Sequence, residues 1–407
     1  MQGLTPDQRA DRSTLLLAAI LAALATLGPF SIDTYMPSFP SIGRSFAATP
    51  LQIQQTLSAY LIPFSFMMLF HGALADSFGR RPVILWGLVV FALASVGCAL
   101  SQSLPQMLAF RALQGMSAGT GMVAGRAMIR DIYAGHYAQR VMSMVTMIFG
   151  LAPAIAPILG GWLEVWLGWR SIFAFLALFG ALLCASCHFR LRESLPASAR
   201  QPFAPRPLLH SYVKLLGSLR FGLLSSAIAF NFAGFFLYIS SAPAVIYQLL
   251  GLNANQFAWL FVPGIGGVVC GAFLSGRLAG KVSPRLTVRY GYRVMFGAAL
   301  FNFTYNAVWP PALPWTVLPV MAYTAGMSLA MPSITLLILD LFPENRGLAA
   351  SLQGAQHSLF TGLAAGLLSP LLSGSGFGLA CGMAALVACG FACWLVEARV
   401  GQRKGTA

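Results

Sequence analysis

Twelve apolar stretches, each about as long as a helix needs to cross a bilayer, constrain this chain more than any other feature. A spanning helix takes about 20 mostly apolar residues. The stretches at 13–36, 52–74, 82–101, 105–129, 139–163, 170–189, 219–241, 257–279, 289–309, 315–339, 348–372 and 376–396 all qualify. Hydrophobic residues make up 57% of the chain and charged residues 9%, against about 25% charged in soluble domains. That balance excludes a soluble globular protein, a disordered chain and a fibrous one. Strands are excluded as the spanning element, because an open sheet leaves backbone groups unsatisfied in lipid and barrel strands would be shorter and alternate. An all-α integral membrane protein with 12 transmembrane helices is expected. The first stretch follows a polar run, Met1 to Asp11, and lacks a convincing cleavage site, so it reads as a span and not as a removed signal.

The cations sort by side. If the N-terminus is cytoplasmic, Arg9 and Arg12 lie there, and Arg80 and Arg81 follow the second span. Arg126, Arg130 and Arg140 flank the turn after the fourth. Arg190, Arg192, Arg200, Arg206, Lys214 and Arg220 belong to the long connection after the sixth. Arg277, Lys281, Arg285, Arg289 and Arg293 follow the eighth, Arg346 the tenth, and Arg399, Arg403 and Lys404 close the chain. Only Arg44 and Arg170 fall on the other side, with Arg111 inside a span. This asymmetry puts both termini in the cytoplasm. It also accounts for a net charge of +15 without a nucleic-acid partner. Cys98, Cys184, Cys187, Cys270, Cys381, Cys389 and Cys393 all sit in or beside apolar runs, so no disulfide framework is expected.

The connection at 190–218 carries Pro196, Pro202, Pro205 and Pro207 and divides the chain. An N-terminal six-helix bundle at 1–189 and a C-terminal one at 219–407 are expected, joined by a cytoplasmic linker. A repeat supports the division. Gly72-Ala-Leu-Ala-Asp76-Ser-Phe-Gly79-Arg80-Arg81 follows the second span, and Gly276-Arg-Leu-Ala-Gly280-Lys-Val-Ser283-Pro-Arg285 follows the eighth, 204 residues later. Two homologous halves with a site between them is a secondary-transporter architecture.

Gly72 to Arg81 resembles the signature loop of the major facilitator superfamily, G-x-L-A-D-x-x-G-R-R, and is complete. The second copy has lost the acid (Gly280) and the glycine (Ser283). Arg111-Ala-Leu-Gln114-Gly115 is similar to the superfamily's R-x-x-Q-G. Ala156-Pro157-Ile-Leu-Gly160-Gly161 is similar to its antiporter motif G-P-x-x-G-G, with Ala156 for the first glycine. Ser31-Ile-Asp33-Thr-Tyr35-Met-Pro37 resembles the T-D-M-Y-L-P stretch of the bicyclomycin/chloramphenicol-resistance (Bcr/CflA) branch of drug:proton antiporters. So does Arg126-Ala-Met-Ile-Arg130-Asp131-Ile-Tyr, while Trp169-Arg170-Ser-Ile-Phe173 and Arg346-Gly347 fit as well. The resemblance covers nearly the whole chain. It implies two six-helix pseudo-repeat bundles and proton-coupled export from a bacterial cytoplasmic membrane. The expected partners are protons, lipid and a small molecule; the chain is expected to act as a monomer with no metal or other cofactor. The substrate is not given.

Of ten acids, Asp33 alone lies well inside a span away from the signature loops, beside Gly28 and Pro29. An ionisable group there is costly and marks a functional site by default; the bland alternative is a hydrated acid at a helix end. Arg111 lies about six residues into the fourth span, roughly 9 Å deep, at a depth similar to Asp33. In the superfamily fold both helices line the cavity, so the resemblance makes an Asp33–Arg111 pair an expectation, with a permanent structural pair as the plainer reading. Gly72, Asp76, Gly79, Arg80, Arg81 and Asp131 are expected to form a conformational latch, Arg80 pairing with Asp131. Pro153, Pro157, Gly160 and Gly161 would bend and tightly pack the fifth helix. Asn231, Phe235 and Tyr238 share one face of the seventh. Together with Tyr35, Gln114, Met122, Tyr323 and Met327 they are candidates to line a mostly apolar pocket. His357 is a candidate second titratable group. For each of these, plain packing is the competing reading.

Three patterns carry no chemistry. Cys184-Ala-Ser-Cys187-His188 matches a haem-attachment pattern but lies at the inner end of the sixth span. Gly280-Lys281 lacks the other residues of a phosphate loop, and Gly119-x-Gly121-x-x-Ala124 lies inside a span after no strand. The leading reading is a proton-driven exporter of small amphipathic, antibiotic-like molecules, with export of a nucleoside, sugar or amino-acid derivative as the alternative. An enzyme is disfavoured because the spans hold no paired-carboxylate, metal-ligand or Ser/His/Asp constellation. A sensor is disfavoured because no soluble signalling domain is present.

Overall fold

The computed structural model describes residues 12–133, 135–342 and 346–405. Arg9 lies outside the described residues, as do the side chains of Arg12, Arg140, Arg346, Arg403 and Lys404. The first half runs α1 (Arg12–Asp33), α2 (Phe39–Phe46), α3 (Pro50–Phe78), α4 (Arg80–Leu100), α5 (Leu104–Ile132), α6 (Gly135–Leu167) and α7 (Trp169–Arg190). A short helix α8 (Pro205–Leu216) lies in the connection. The second half runs α9 (Leu219–Ser240), α10 (Ala258–Leu278), α11 (Pro284–Val308), α12 (Leu318–Leu341), α13 (Arg346–Leu363), α14 (Ser369–Leu372) and α15 (Gly376–Gly405). Wider π-type turns at Ala244–Leu249 and Ala364–Leu368 extend α9 and link α13 to α14. Several starts are written locally. Thr49 and Gln52 close a capping box ahead of Pro50, and Ser218 and Ser283 accept the N–H groups of Phe221 and Leu286.

Nine of the described helices are long and apolar enough to cross a membrane. They correspond to the expected spans one to three, five to eight, ten and twelve. The other three expected spans are α5, α11 and α13, which carry buried polar side chains that bond internally. Arg111 reaches Gln114 at 2.5 Å, Asn302 reaches Tyr238 at 2.6 Å, and Gln356 reaches Ser226 at 2.9 Å. Average polarity misses such helices, because lipid penalises only polar groups that lack a partner.

The helix pairings repeat. In the first half α5 packs against α3, α4 and α1, α4 against α7, and α1 against α6. In the second, α12 packs against α10, α11 and α9, α11 against α15, and α9 against α13. The bundles meet along α3 with α13 and α6 with α10. Along the first seam Gln54 donates to Ser369 Oγ at 3.0 Å, Gln55 to Gly366 O at 2.9 Å, Ser58 to Gly362 O at 3.0 Å and Ser65 to Ala355 O at 2.6 Å. Tyr247 donates to Pro37 O at 2.6 Å. The end of the molecule away from most arginines is therefore sealed between the bundles.

The opposite, basic end holds each bundle together with ions. Glu397 at the end of α15 has no exposed side-chain surface; Arg220 of α9 lies 2.6 Å from it and Arg285 of α11 3.3 Å. Glu193, 204 residues earlier, accepts the backbone N–H groups of Arg80 and Arg81 at 3.0 and 3.2 Å, where α4 begins. An anion is favoured at that helix terminus. Because Glu397 is fully buried, Glu397→Gln is expected to cost about 2–3 kcal/mol, below the cost of breaking a fully buried pair because both arginines are part-exposed. Glu193→Gln is expected to cost about 1 kcal/mol or less. Thermal unfolding of the two variants checks the order; an equal or reversed loss contradicts it.

Candidate functional site

The densest polar cluster inside the first bundle forms around Arg111, which is completely buried. Nη1 donates to Ser31 O at 3.0 Å and to Gln114 Oε1 at 2.5 Å, and Nε to Thr56 O at 3.4 Å. The guanidinium carbon lies 4.4 Å from the ring centroids of both Tyr35 and Tyr60. Two desolvated aromatic faces stabilise such a cation by about 2 kcal/mol or more. Gln114 passes its own N–H to Ser95 Oγ at 2.8 Å, and Ser95 donates to Phe91 O at 2.7 Å. Thr56 uses its proton on Ile53 O, so the 2.9 Å contact with Tyr35 is donated by the tyrosine hydroxyl. Arg111 thus ties α1, α3, α4 and α5 together.

Asp33 is the last residue of α1 and is 4% exposed. Helix α1 stops there, and the chain turns through Met36–Ser38 into α2. The expected Asp33–Arg111 ion pair is not formed: among the described residues no cation lies within salt-bridge distance of Asp33. Two backbone carbonyls and Gln114 engage Nε and Nη1 and the tyrosines cover both faces, so the guanidinium is held against α1, α3 and α5 without reaching the carboxylate. Arg111 reaches the carbonyl of Ser31, two residues before Asp33. Arg111 Nη2, the Tyr60 hydroxyl and Thr34 Oγ1 are buried without hydrogen-bond partners. A substrate or water entering beside Asp33 would find donors already in place.

The glycine pair of α6 closes the other side of this break. A Cβ on Gly160 would lie 1.8 Å from Thr34 O, and one on Gly161 2.3 Å from Ala254 O in the second half. The two glycines let α6 touch the residue after Asp33 on one side and the opposing bundle on the other. Pro153 and Pro157 lie within α6, which continues through them.

At the basic end the signature residues converge. Arg80 lies 2.5 Å from Asp76 and 3.3 Å from Asp131, and Gly79 turns with φ +100°. Gly72 packs nearby against Val123. Arg81 donates to His188 O at 2.8 Å. The connection joins in as well. Ser194 Oγ donates to Asp131 at 2.7 Å, and Gln201 N to Asp76 O at 3.2 Å. Sequence reasoning missed Glu193 and Ser194, although Glu193 stands at the same 204-residue offset from Glu397 as Arg81 does from Arg285.

The pocket candidates divide. Tyr35 and Gln114 belong to the Arg111 cluster. Asn231, Tyr238 and Tyr323 are buried within the second bundle. Asn231 donates to Tyr292 at 3.0 Å, Tyr323 to Asn231 O at 2.9 Å, and Asn302 to Tyr238 at 2.6 Å. Phe235 and Met327 are buried too. Met122 and His357 are half-buried, and the His357 ring lies 4.2 Å from that of Phe232, a neighbour the sequence did not single out. Two cavities of about 680 and 440 Å³ each lie within one bundle, away from Asp33.

Fold and polar core together define an integral-membrane secondary transporter, and comparison with known proteins names its family. Residues 15–365 match the family described as "Major Facilitator Superfamily", and the chain belongs to it. It is 33% identical over 295 residues to the "Chloramphenicol resistance protein" of Pseudomonas aeruginosa, covering 72% of this chain and 68% of that one. It is 30% identical over 286 residues to the "Bicyclomycin resistance protein homolog" of Haemophilus influenzae (strain ATCC 51907 / DSM 11121 / KW20 / Rd), covering 70% and 72%. The fold matches that of a bacterial homolog to the human lysosomal transporter Spinster, solved inward-facing and unoccupied. The TM-score is 0.72 at 18% identity, over 96% of this chain and 98% of that one. The resemblance to the Bcr/CflA branch thus extends over about 70% of the chain, and the protein is a transporter of small molecules, not an enzyme.

Arg111→Ala would orphan the buried Gln114 Oε1, at about 1–3 kcal/mol, and lose two aromatic contacts, at about 2 kcal/mol, so a loss of about 3 kcal/mol or more is expected. Arg111→Lys should recover part of it, since an ammonium lacks the planar fork. Unfolding temperatures in detergent check the ranking; an unchanged Arg111→Ala protein contradicts it.

Proposed function

We propose that this protein is a proton-coupled antiporter that exports small amphipathic, antibiotic-like molecules from the bacterial cytoplasm. The observation that carries the reading is Asp33: a buried acid without a cation partner, at a helix break, beside the contact between the bundles. The names of the resistance relatives support the substrate class. The basic end is read as cytoplasmic, with both termini there, because arginines and lysines accumulate on that side of bilayers. One chain suffices for the cycle. Residues 1–189 and 219–407 are the units that rock against each other, tethered by 190–218.

In the proposed cycle the outward-open protein exposes Asp33 to the proton-rich side, where its carboxyl takes up a proton and substrate leaves. A neutral acid can be enclosed without the cost of burying a charge. Gly160, Gly161 and the α3–α13 bonds then seal that end. Substrate arriving from the cytoplasm displaces the proton, and the loaded transporter turns outward. The Asp76–Arg80–Asp131 cluster stabilises one state of the basic end and acts as the latch.

Asp33→Asn is expected to abolish uphill, pH-gradient-driven export in vesicles while leaving insertion and unfolding temperature near those of the parent. Full retention of driven transport would remove Asp33 as the proton carrier. A panel of antibiotics and polar metabolites in the same vesicles identifies the transported class. Asp76→Asn should slow transport several-fold and shift the labelling of cysteines introduced at the basic end. Unchanged rates and labelling would remove the latch.

A further inference from the structure

The connecting helix α8 has more apolar face than the protein covers. At about 100° per residue, Leu208, Tyr212 and Leu215 form one strip, and Leu209, Val213 and Leu216 the strip beside it. The first packs inward: Tyr212 and Leu215 are 5% and 4% exposed. The second faces out, with Leu209, Val213 and Leu216 at 60%, 59% and 54% exposure. Arg206, His210 and Lys214, spaced by four, border the exposed strip, and residues 194–218 contain no acid.

The inward strip grips the seam between the bundles. Tyr212 donates to Leu69 O of α3 at 2.9 Å, and α8 also packs against α9 and α13. Burial pushes the Tyr212 hydroxyl up to about 12, with Ser351 of α13 opposing that shift, so the tyrosine remains a donor at physiological pH. The contact with Leu69 lies nine residues before the end of α3, so Tyr212 of α8 sits alongside the last turns of a membrane-crossing helix and not past its end. A short helix with an apolar face bordered by cations is the composition that lies in a membrane interface. Phosphate headgroups are the anions available at that level.

We propose that α8 is a strap held in the membrane interface. Its exposed strip enters the leaflet, its basic border binds anionic phospholipid headgroups, and this keeps Tyr212 seated in the α3–α13 seam. The choice of the cytoplasmic leaflet rests on the sidedness proposed above, whereas lipid binding itself does not.

Hydrogen exchange of segment 205–216 in the full-length protein tests the strap, in nanodiscs of phosphatidylcholine with and without phosphatidylglycerol. Both leaflets then carry the same lipid, so sidedness does not enter. Exchange is expected to slow about tenfold or more with phosphatidylglycerol, the scale set by two basic residues near an anionic surface. Arg206→Gln with Lys214→Gln should erase that difference, and Leu209→Ser with Val213→Ser should speed exchange in both lipids. Equal exchange in the two lipids, or a difference that survives loss of both cations, overturns the proposal. Protection that persists in lipid-free detergent and grows with protein concentration assigns the strip to a second copy and overturns it as well.

Discussion

Hydrocarbon offers no hydrogen bonds, so polar groups inside the bundles draw on partners within the protein. Arg111 is the most demanding case, a guanidinium with no exposed surface. It is tolerated because two carbonyls, an amide and two aromatic faces meet it. Those contacts tie α1, α3 and α5 together two residues before the chain breaks at Asp33, and Gly115 lets α5 come against the Tyr60 carbonyl of α3. The rest of the site inherits its geometry from that arrangement. Gly160 packs against the residue after Asp33, and Gly161 carries the same helix into contact with the opposing bundle.

The halves share helix pairings but not chemistry. The first half keeps a tight ion cluster at its basic end, Asp76–Arg80–Asp131, reinforced by Ser194. In the second, Gly280 and Pro284 stand at the positions of Asp76 and Arg80. A single buried acid, Glu397, gathers two arginines instead. The buried cation belongs to the first half, while the second half's interior is held by neutral Asn–Tyr bonds.

Much of this was legible before any coordinates. Apolar run length gave the helices, and the distribution of arginines is the ground for the proposed sidedness. The Arg80–Asp131 contact was expected from the place of Asp131 at the inner end of the fourth span, and it is formed. The Asp33–Arg111 pair did not form, because similar depth in neighbouring helices does not fix which way a guanidinium is held. Asn231, Phe235 and Tyr238 are all buried on α9, yet periodicity cannot name the neighbour across the gap, and Tyr292, Asn302 and Tyr323 took that place. Glu193 was hidden because the repeat was sought only in the signature loops; its offset from Glu397 was available all along. The apolar face of α8 went unread because the prolines around it marked the segment as a plain linker.

The central claim is that Asp33 exchanges its proton for substrate. It is tested most directly by proton release from purified protein in weakly buffered detergent, on adding chloramphenicol or bicyclomycin, whichever raises the unfolding temperature. The parent protein should release protons saturably, to an extent that varies with pH, and Asp33→Asn should bind the same compound without release. Equal release from both proteins would place the coupling proton elsewhere and contradict the account.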